Sequence, residues 1–338
     1  MVVYCPESRV WEMKRRLKMF WPLRALSRRS SREVLAPLPS PYAMFVSLTF
    51  VLATVVGCGS ENYAAPERTN GDPVFVGAGD IADCETSGDE ATAGLVANID
   101  GTVFTLGDNA YPRGSAANFA DCYEPTWGQE KHRTKPVPGD NDYGEAAAGG
   151  YFDNFGSAAG DPAKGYYSYD LGQWHLVALN SNCEKLGGCN ATSAQVRWLE
   201  DDLAANEYKD CTLAYFHHPL FSSGGIHGKT PEMKPIWEAL YAAGADVILP
   251  AHEHNYQRFA PQDPSGMWDS EQGIREFVVG TGGGKGHYKI ESPIENTEVY
   301  NDDTYGVLKL TLHPSGYDWQ FVPVEGVAFA DSGSDWCH

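Results

Sequence analysis

The chain has 338 residues, is 42% hydrophobic and 12% aromatic, and carries a formal net charge of −20. That length and apolar content suffice for one large buried core and exclude a disordered or fibrous chain. The acidity, with no basic stripe beyond the first 57 residues, disfavours sequence-independent binding to a nucleic-acid backbone, which needs Lys and Arg to displace counterions.

Lys14, Arg15, Arg16, Lys18, Arg24, Arg28, Arg29 and Arg32 precede an apolar run at 43–57, which ends in Val55-Val56-Gly57-Cys58. Residues 1–57 read as a signal peptide. The run of 15 residues is shorter than the roughly 20 needed for a spanning helix, and an uncleaved anchor is the competing reading. A small Gly57 before Cys58 resembles a bacterial lipoprotein signal, which implies lipidation of Cys58. The implied location is exported, cell-surface or periplasmic, with the membrane reached only through an N-terminal lipid anchor. Removing the nine Lys/Arg and three Asp/Glu of residues 1–57 takes the formal charge from −20 to −26. Residues 58–72 are polar and aperiodic, as expected of a linker. A folded domain is expected over 73–338.

Within that domain, short apolar runs alternate with stretches of helical period, the pattern of an α/β protein. Strands are predicted at 74–78, 102–106, 167–171, 175–180, 212–216, 246–249, 276–279, 307–312 and 317–322. A helix is predicted over 193–206, where Thr192 and Gln195 have capping-box spacing and Val196, Leu199 and Leu203 share one face. A second covers about 231–243. Both are read as core-packing helices.

Besides Cys5 and Cys58, six cysteines remain: Cys84, Cys122, Cys183, Cys189, Cys211 and Cys337. An even number in a chain read as exported predicts three disulfides. Connectivity stays open, although Cys183 to Cys189 is attractive across a short Gly-containing loop. No Cys-x-x-Cys pair occurs, which disfavours a zinc–thiolate site.

Four segments place metal-ligating side chains just after a predicted strand: Gly79-Asp80, Gly107-Asp108-Asn109-Ala110-Tyr111, His217-His218-Pro219 and Ala251-His252-Glu253-His254. Singly, each is a weak signal. In this order, the set resembles the calcineurin-like metallophosphoesterases, and the Asp108-x-x-Tyr111 spacing, with Ala82 two residues after Asp80, resembles their purple acid phosphatase branch in a bacterial form. Asn255-Tyr256-Gln257-Arg258 is similar to that branch as well. The resemblance covers roughly 73–338. It implies that Asp80, Asp108, Tyr111 and His254 hold one metal, and that Asp108, His217 and His252 hold a second, with Asp108 bridging. A bridging carboxylate keeps two cations about 3.5–4 Å apart, suited to in-line phosphoryl displacement. A phenolate favours iron(III) at site 1, and imidazole suits divalent iron, zinc or manganese at site 2. His227, ten residues after His217, matches a phosphate-binding His and is expected to serve as leaving-group acid; an exposed loop His is the competing reading.

One motif departs from the pattern. Where Gly-Asn-His-Asp is expected, the chain reads Gly139-Asp140-Asn141-Asp142. Aligned without a gap, Asp140 replaces a neutral Asn ligand of metal 2, and Asn141 replaces a substrate-contacting His. Extra ligand charge tightens metal binding but weakens the pair as a Lewis acid. A shifted register, with Asn141 as ligand and Asp142 near metal 2, is the alternative.

The remaining motifs read as structural. The glycine-rich 280–285 lacks P-loop spacing and is expected to be a flexible rim, while His132, His175, His287 and His313 are expected to be packing or surface residues. No Gly-x-Ser-x-Gly elbow supports a serine hydrolase. The resemblance implies a four-layer α/β/β/α sandwich with two mixed sheets. It also implies hydrolysis of phosphate monoesters by a metal-activated hydroxide. Phosphodiester hydrolysis at the same site is the alternative, and a catalytically degenerate metal- or phosphate-binding surface protein is another. The expected partner is a small phosphate ester, not nucleic acid.

Overall fold

The computed structural model describes residues 71–338. The expected signal peptide, Cys58 and most of the expected linker lie outside the described residues.

The strands in chain order are β1 (Val74–Ala78), β2 (Thr102–Leu106), β3 (Thr134–Val137), β4 (Tyr167–Leu171), β5 (Trp174–Ala178), β6 (Cys211–Tyr215), β7 (Val247–Leu249), β8 (Tyr256–Phe259), β9 (Arg275–Val279), β10 (Thr297–Asn301), β11 (Gly306–His313), β12 (Gly316–Pro323) and β13 (Asp331–Trp336). The α-helical segments are α1 (Gly88–Ala97), α2 (Ala116–Asn118), α3 (Gly149–Phe155), α4 (Ala194–Ala205) and α5 (Lys234–Ala242). One sheet has the order β13-β12-β11-β1-β2-β3 and the other β10-β8-β9-β7-β6-β5-β4. Both are mixed: β1, β2 and β3 run parallel, as do β5, β6, β7 and β9, while β4, β8 and β10 to β13 pair antiparallel.

The sheets meet face to face through large side chains. Phe75 of β1 meets Tyr215 of β6, Trp174 meets Tyr317, and Tyr256 meets Phe321, with ring centroids 5.5, 5.7 and 4.5 Å apart. Strand periodicity explains why the central runs are apolar without a break. Leu176 and Ala178 of β5 face the inter-sheet core, whereas Val177 points to the cluster under α4 and α5. Leu213 and Tyr215 alternate with Ala214 on β6 in the same way. A parallel strand covered on both faces has no reason to alternate with polar residues.

Several boundaries differ from expectation. Strands β5, β6 and β9 each begin one residue earlier than predicted. Helix α4 is capped by Ser193, whose hydroxyl accepts from Val196 N at 3.3 Å, and not by Thr192. Gln195 is turned inward instead, bonding both backbone groups of Asn180 at 2.8 and 2.9 Å. Three disulfides form, Cys84–Cys122, Cys183–Cys189 and Cys211–Cys337, a feature of oxidising compartments that is consistent with export.

The glycine-rich segment is packed and not a free rim. Gly282 N donates to Gly79 O at 2.9 Å and Gly284 N to Asp80 O at 2.7 Å. A Cβ on Gly284 would stand 2.6 Å from the Tyr111 ring. The glycines let this backbone lie directly behind Asp80 and Tyr111.

Candidate metal centre

The parallel strands β1, β2 and β3 of one sheet and β6 and β7 of the other deliver their following residues to one place. Asp80, Asp108 and His252 adopt left-handed backbone conformations, with φ of 57°, 51° and 70°. Such conformations cost energy in non-glycine residues and persist where the surroundings over-determine them, often at functional sites.

Asp80, Tyr111 and His254 form one side of the cluster. The Tyr111 hydroxyl lies 2.8 Å from Asp80 Oδ1 and 3.0 Å from His254 Nε2. Asp80 Oδ2 accepts the His252 N–H at 2.9 Å, tying β1 of one sheet to the loop after β7 of the other. Burial, reinforced by the Asp108 and Asp80 charges, holds the Tyr111 phenol well above its ordinary pKa.

Asp140, His217, His218 and His252 form the other side. Asp140 Oδ1 lies 3.1 Å from His217 Nε2, 3.2 Å from His252 Nδ1 and 3.6 Å from His218 Nε2. Asp108, almost fully buried, stands with Oδ1 3.5 Å from His217 Nε2. The ligating atoms of Asp140, His217, His218 and His252 lie within 4.8 Å of one another, as do those of Asp80, Asp108 and His217. These two groups could each hold a metal ion.

Outer contacts aim the imidazoles. His217 Nδ1 donates to Leu106 O at 2.8 Å, and His254 Nδ1 to Lys285 O at 3.1 Å, so both rings present Nε2 to the cluster. Fixing one ring nitrogen in this way is how proteins orient metal-ligating histidines. His218 Nδ1 lies 2.8 Å from Ser181 Oγ, and burial followed by the adjacent His217 and His252 pushes its pKa well below the usual value. The donors are carboxylate oxygen, phenol oxygen and imidazole nitrogen, a set suited to iron, zinc or manganese. On this chemistry and this convergence, the residues fit a pair of cations.

In the Asp140–Asn141–Asp142 segment the three side chains face different ways. Asp140 faces the histidines. Asn141 donates its backbone N–H to Asp108 Oδ1 at 2.8 Å and its side-chain amide to Asp108 Oδ2. Asp142 is fully buried on the far side, accepting from Gly139 N at 2.9 Å and from Asn109 Nδ2 at 2.9 Å.

A cleft of about 620 Å³ opens over the cluster, and Asp108, Tyr111, Asp140, His252, His227 and Tyr288 line part of it. The His227 ring lies over His252, tilted by 35°, with ring centroids 4.1 Å apart. Tyr288 stacks on His254 at 4.2 Å. Every site residue predicted within the described part, namely Asp80, Asp108, Tyr111, Asp140, Asn141, His217, His227, His252 and His254, is brought to this place. The sequence reading assigned no role to His218, Tyr288 or Glu253. The His-His doublet signalled the first, but Tyr288 lies outside the four strand-end segments and nothing in its neighbourhood marks it.

No protein-family model matches the chain. Over 100 residues it is 33% identical to purple acid phosphatase 21 of Arabidopsis thaliana, a stretch covering 28% of this chain and 22% of that protein. Over 155 residues it is 26% identical to purple acid phosphatase 18 of the same plant, covering 42% and 32%. Human acid phosphatase type 7 is 29% identical over 126 residues, covering 31% and 28%. The matched segments therefore span less than a third of these relatives' length. Among solved structures, purple acid phosphatase PPD1 from yellow lupin (Lupinus luteus) seeds superposes with a TM-score of 0.64 at 18% identity, covering 80% of this chain and 55% of that one. GAP50, the anchor in the inner membrane complex of Plasmodium, superposes at 0.56 and 14% identity, covering 77% and 88%. At such identities the structural likeness is one of fold, and that fold is the calcineurin-like α/β sandwich. The purple acid phosphatase relatives and the purple acid phosphatase neighbour together support the chain's similarity to the calcineurin-like metallophosphoesterase superfamily.

Proposed function

We propose that this chain is a metal-dependent phosphoesterase that hydrolyses phosphate monoesters at a dinuclear centre, with 73–338 as its catalytic domain. The observation that carries the reading is the Tyr111 hydroxyl set between Asp80 and His254, beside an Asp108 that also approaches His217. In this reading Asp80, Asp108, Tyr111 and His254 hold iron(III), and Asp108, Asp140, His217 and His252 hold divalent iron, zinc or manganese. The phenolate is the reason for a hard trivalent ion at the first position.

When bound, the two ions supply Lewis acidity and an activated water for in-line attack at phosphorus. The chain's own residues do the rest. In this reading His227, whose ring lies 4.1 Å from that of His252 at the cleft, hydrogen-bonds the departing oxygen. Asn141 can donate through its amide but cannot relay a proton, and its amide is turned to Asp108. A bacterial origin, export with lipidation of Cys58, and a small phosphate ester as the partner, with no nucleic acid, complete the proposal.

The test is hydrolysis of an aryl phosphate monoester and an aryl phosphate diester by protein loaded with iron and zinc. Monoester turnover that disappears in Asp108→Ala supports the reading, and diester preference moves the function to phosphodiesterase. A second reading, a metal- or phosphate-binding protein without catalysis, is motivated by Asp140 and Asn141. Loaded metal with no turnover on either ester would favour it.

A further inference from the structure

Glu253 lies between His252 and His254, is fully buried, and takes no part in the metal cluster. Its Oε1 accepts the backbone N–H of His227 at 2.8 Å and that of Gly228 at 2.5 Å. Its Oε2 has no hydrogen-bond partner among the described residues. Burying a carboxyl group with one oxygen unpaired is costly, which leaves the two backbone N–H groups of this loop as its hydrogen-bond partners.

The loop at 222–228 is wrapped on that carboxylate. Gly224 passes so close that a Cβ there would overlap the Glu253 carboxyl group. Ser223 N donates to Gln257 Oε1 at 2.7 Å, and Gly224 N to Ser222 Oγ at 2.9 Å. Ser223 Oγ also lies 2.7 Å from Thr297 Oγ1 and accepts from Ile294 N at 3.0 Å, and the His227 ring meets Tyr288 at 5.2 Å, while at the tip a Cβ on Gly225 would meet nothing within 4 Å and Ile226 is 64% exposed. The His227 and Gly228 backbone is thus held directly by the residue next to His252, in addition to these contacts.

We propose that Glu253 is a positioning residue, which ties the loop carrying His227 to the segment carrying His252 and His254 and so places the His227 imidazole at the cleft. The inference rests on the reading of His227 as a substrate-facing group. It links the last of the four ligand segments to the loop after β6 through one buried carboxyl group.

The experiment compares wild type with Glu253→Ala, Glu253→Gln, His227→Ala and the Glu253→Ala/His227→Ala pair. It measures metal content, kcat and KM on an aryl phosphate monoester, and the rate of tryptic cleavage after the exposed Lys229. The expected Glu253→Ala protein keeps its metals, is cut faster after Lys229, and loses kcat on the order of 10²-fold through misplacement of His227. In the double variant kcat falls no further than in His227→Ala alone. Glu253→Gln, which keeps the accepting oxygen, restores the protection and most of the rate. Should Glu253→Ala not fold, Gly224→Ala, whose Cβ would press on the Glu253 carboxyl group, displaces the same loop while Glu253 is retained, and is expected to expose Lys229 equally.

Loss of both metals in Glu253→Ala, unchanged cleavage after Lys229, or fully additive losses in the double variant would overturn the proposal. An unchanged rate in His227→Ala would instead refute the role of His227, and cleavage after Lys229 would still decide whether Glu253 holds the loop.

Discussion

Asp140 Oδ1 lies 3.1 Å from His217 Nε2. The same oxygen faces His252 and His218 as well, and in the proposed ligand set a carboxylate stands where the resembled pattern has a neutral amide. Its burial, which alone would raise the Asp140 pKa, is outweighed by hydrogen bonds with His217 and His252, so the pKa is lowered. An added anionic ligand strengthens cation binding and weakens the cation's pull on substrate and water. Asp140→Asn is expected to raise kcat on the order of tenfold, ~1.4 kcal/mol of barrier, and to release the second metal more readily to a chelator. Unchanged kinetics with intact metal content would place Asp140 outside the ligand set.

His175 supplies a stability prediction remote from the site. Its Nε2 lies 2.8 Å from Asp202 Oδ2 on α4, and its Nδ1 3.1 Å from Asp170 Oδ1 on β4. Lys209 Nζ reaches the other Asp170 oxygen at 2.8 Å. Burial alone would lower the His175 pKa, but the two carboxylates outweigh it and hold it above the ordinary value. A proton held more tightly in the fold than in the unfolded chain stabilises fully below the ordinary pKa of about 6.5, and the contribution fades as pH rises through the raised folded value. His175→Gln should therefore cost about 1.5–3 kcal/mol in acid, with the gap to wild type narrowing in alkali. Urea unfolding at about pH 5 and about pH 9 measures it, and a gap independent of pH would contradict the assignment.

The disulfides should contribute unequally. Cys211–Cys337 closes 126 residues and joins the start of β6 to the residue after β13, across the two sheets, whereas Cys183–Cys189 closes six. Chain-entropy arguments give about 5 kcal/mol for the former and about 2 for the latter. The double serine variant Cys211→Ser/Cys337→Ser is expected to lower Tm well below that of Cys183→Ser/Cys189→Ser. Equal Tm values in the two variants would show that the long link is not restraining the unfolded chain.

Much of the site was legible because its ligands follow strands that are apolar on both faces. Strands β1, β2 and β4 match their predicted bounds, and β1 and β2 lead directly into Asp80 and Asp108. Other elements were hidden for physical reasons. Strand β3 contains Pro136, which an edge strand tolerates, and β13 is polar because it too lies at an edge. The Cys84–Cys122 and Cys211–Cys337 pairings depend on how the chain returns upon itself, whereas Cys183 and Cys189 sit within one short loop. Glu253 was visible as a letter between two histidines. Its orientation toward the His227 backbone is set by the course of the loop at 222–228, which no local pattern encodes.

The central claim is a dinuclear centre with Tyr111 as a ligand. The most direct test is metal analysis of the purified protein together with its visible spectrum, beside Tyr111→Phe. Two metal ions per chain, iron among them, are expected, with a tyrosinate charge-transfer band in the wild type that Tyr111→Phe abolishes. A chain without stoichiometric metal, or a visible band that survives Tyr111→Phe, would contradict it.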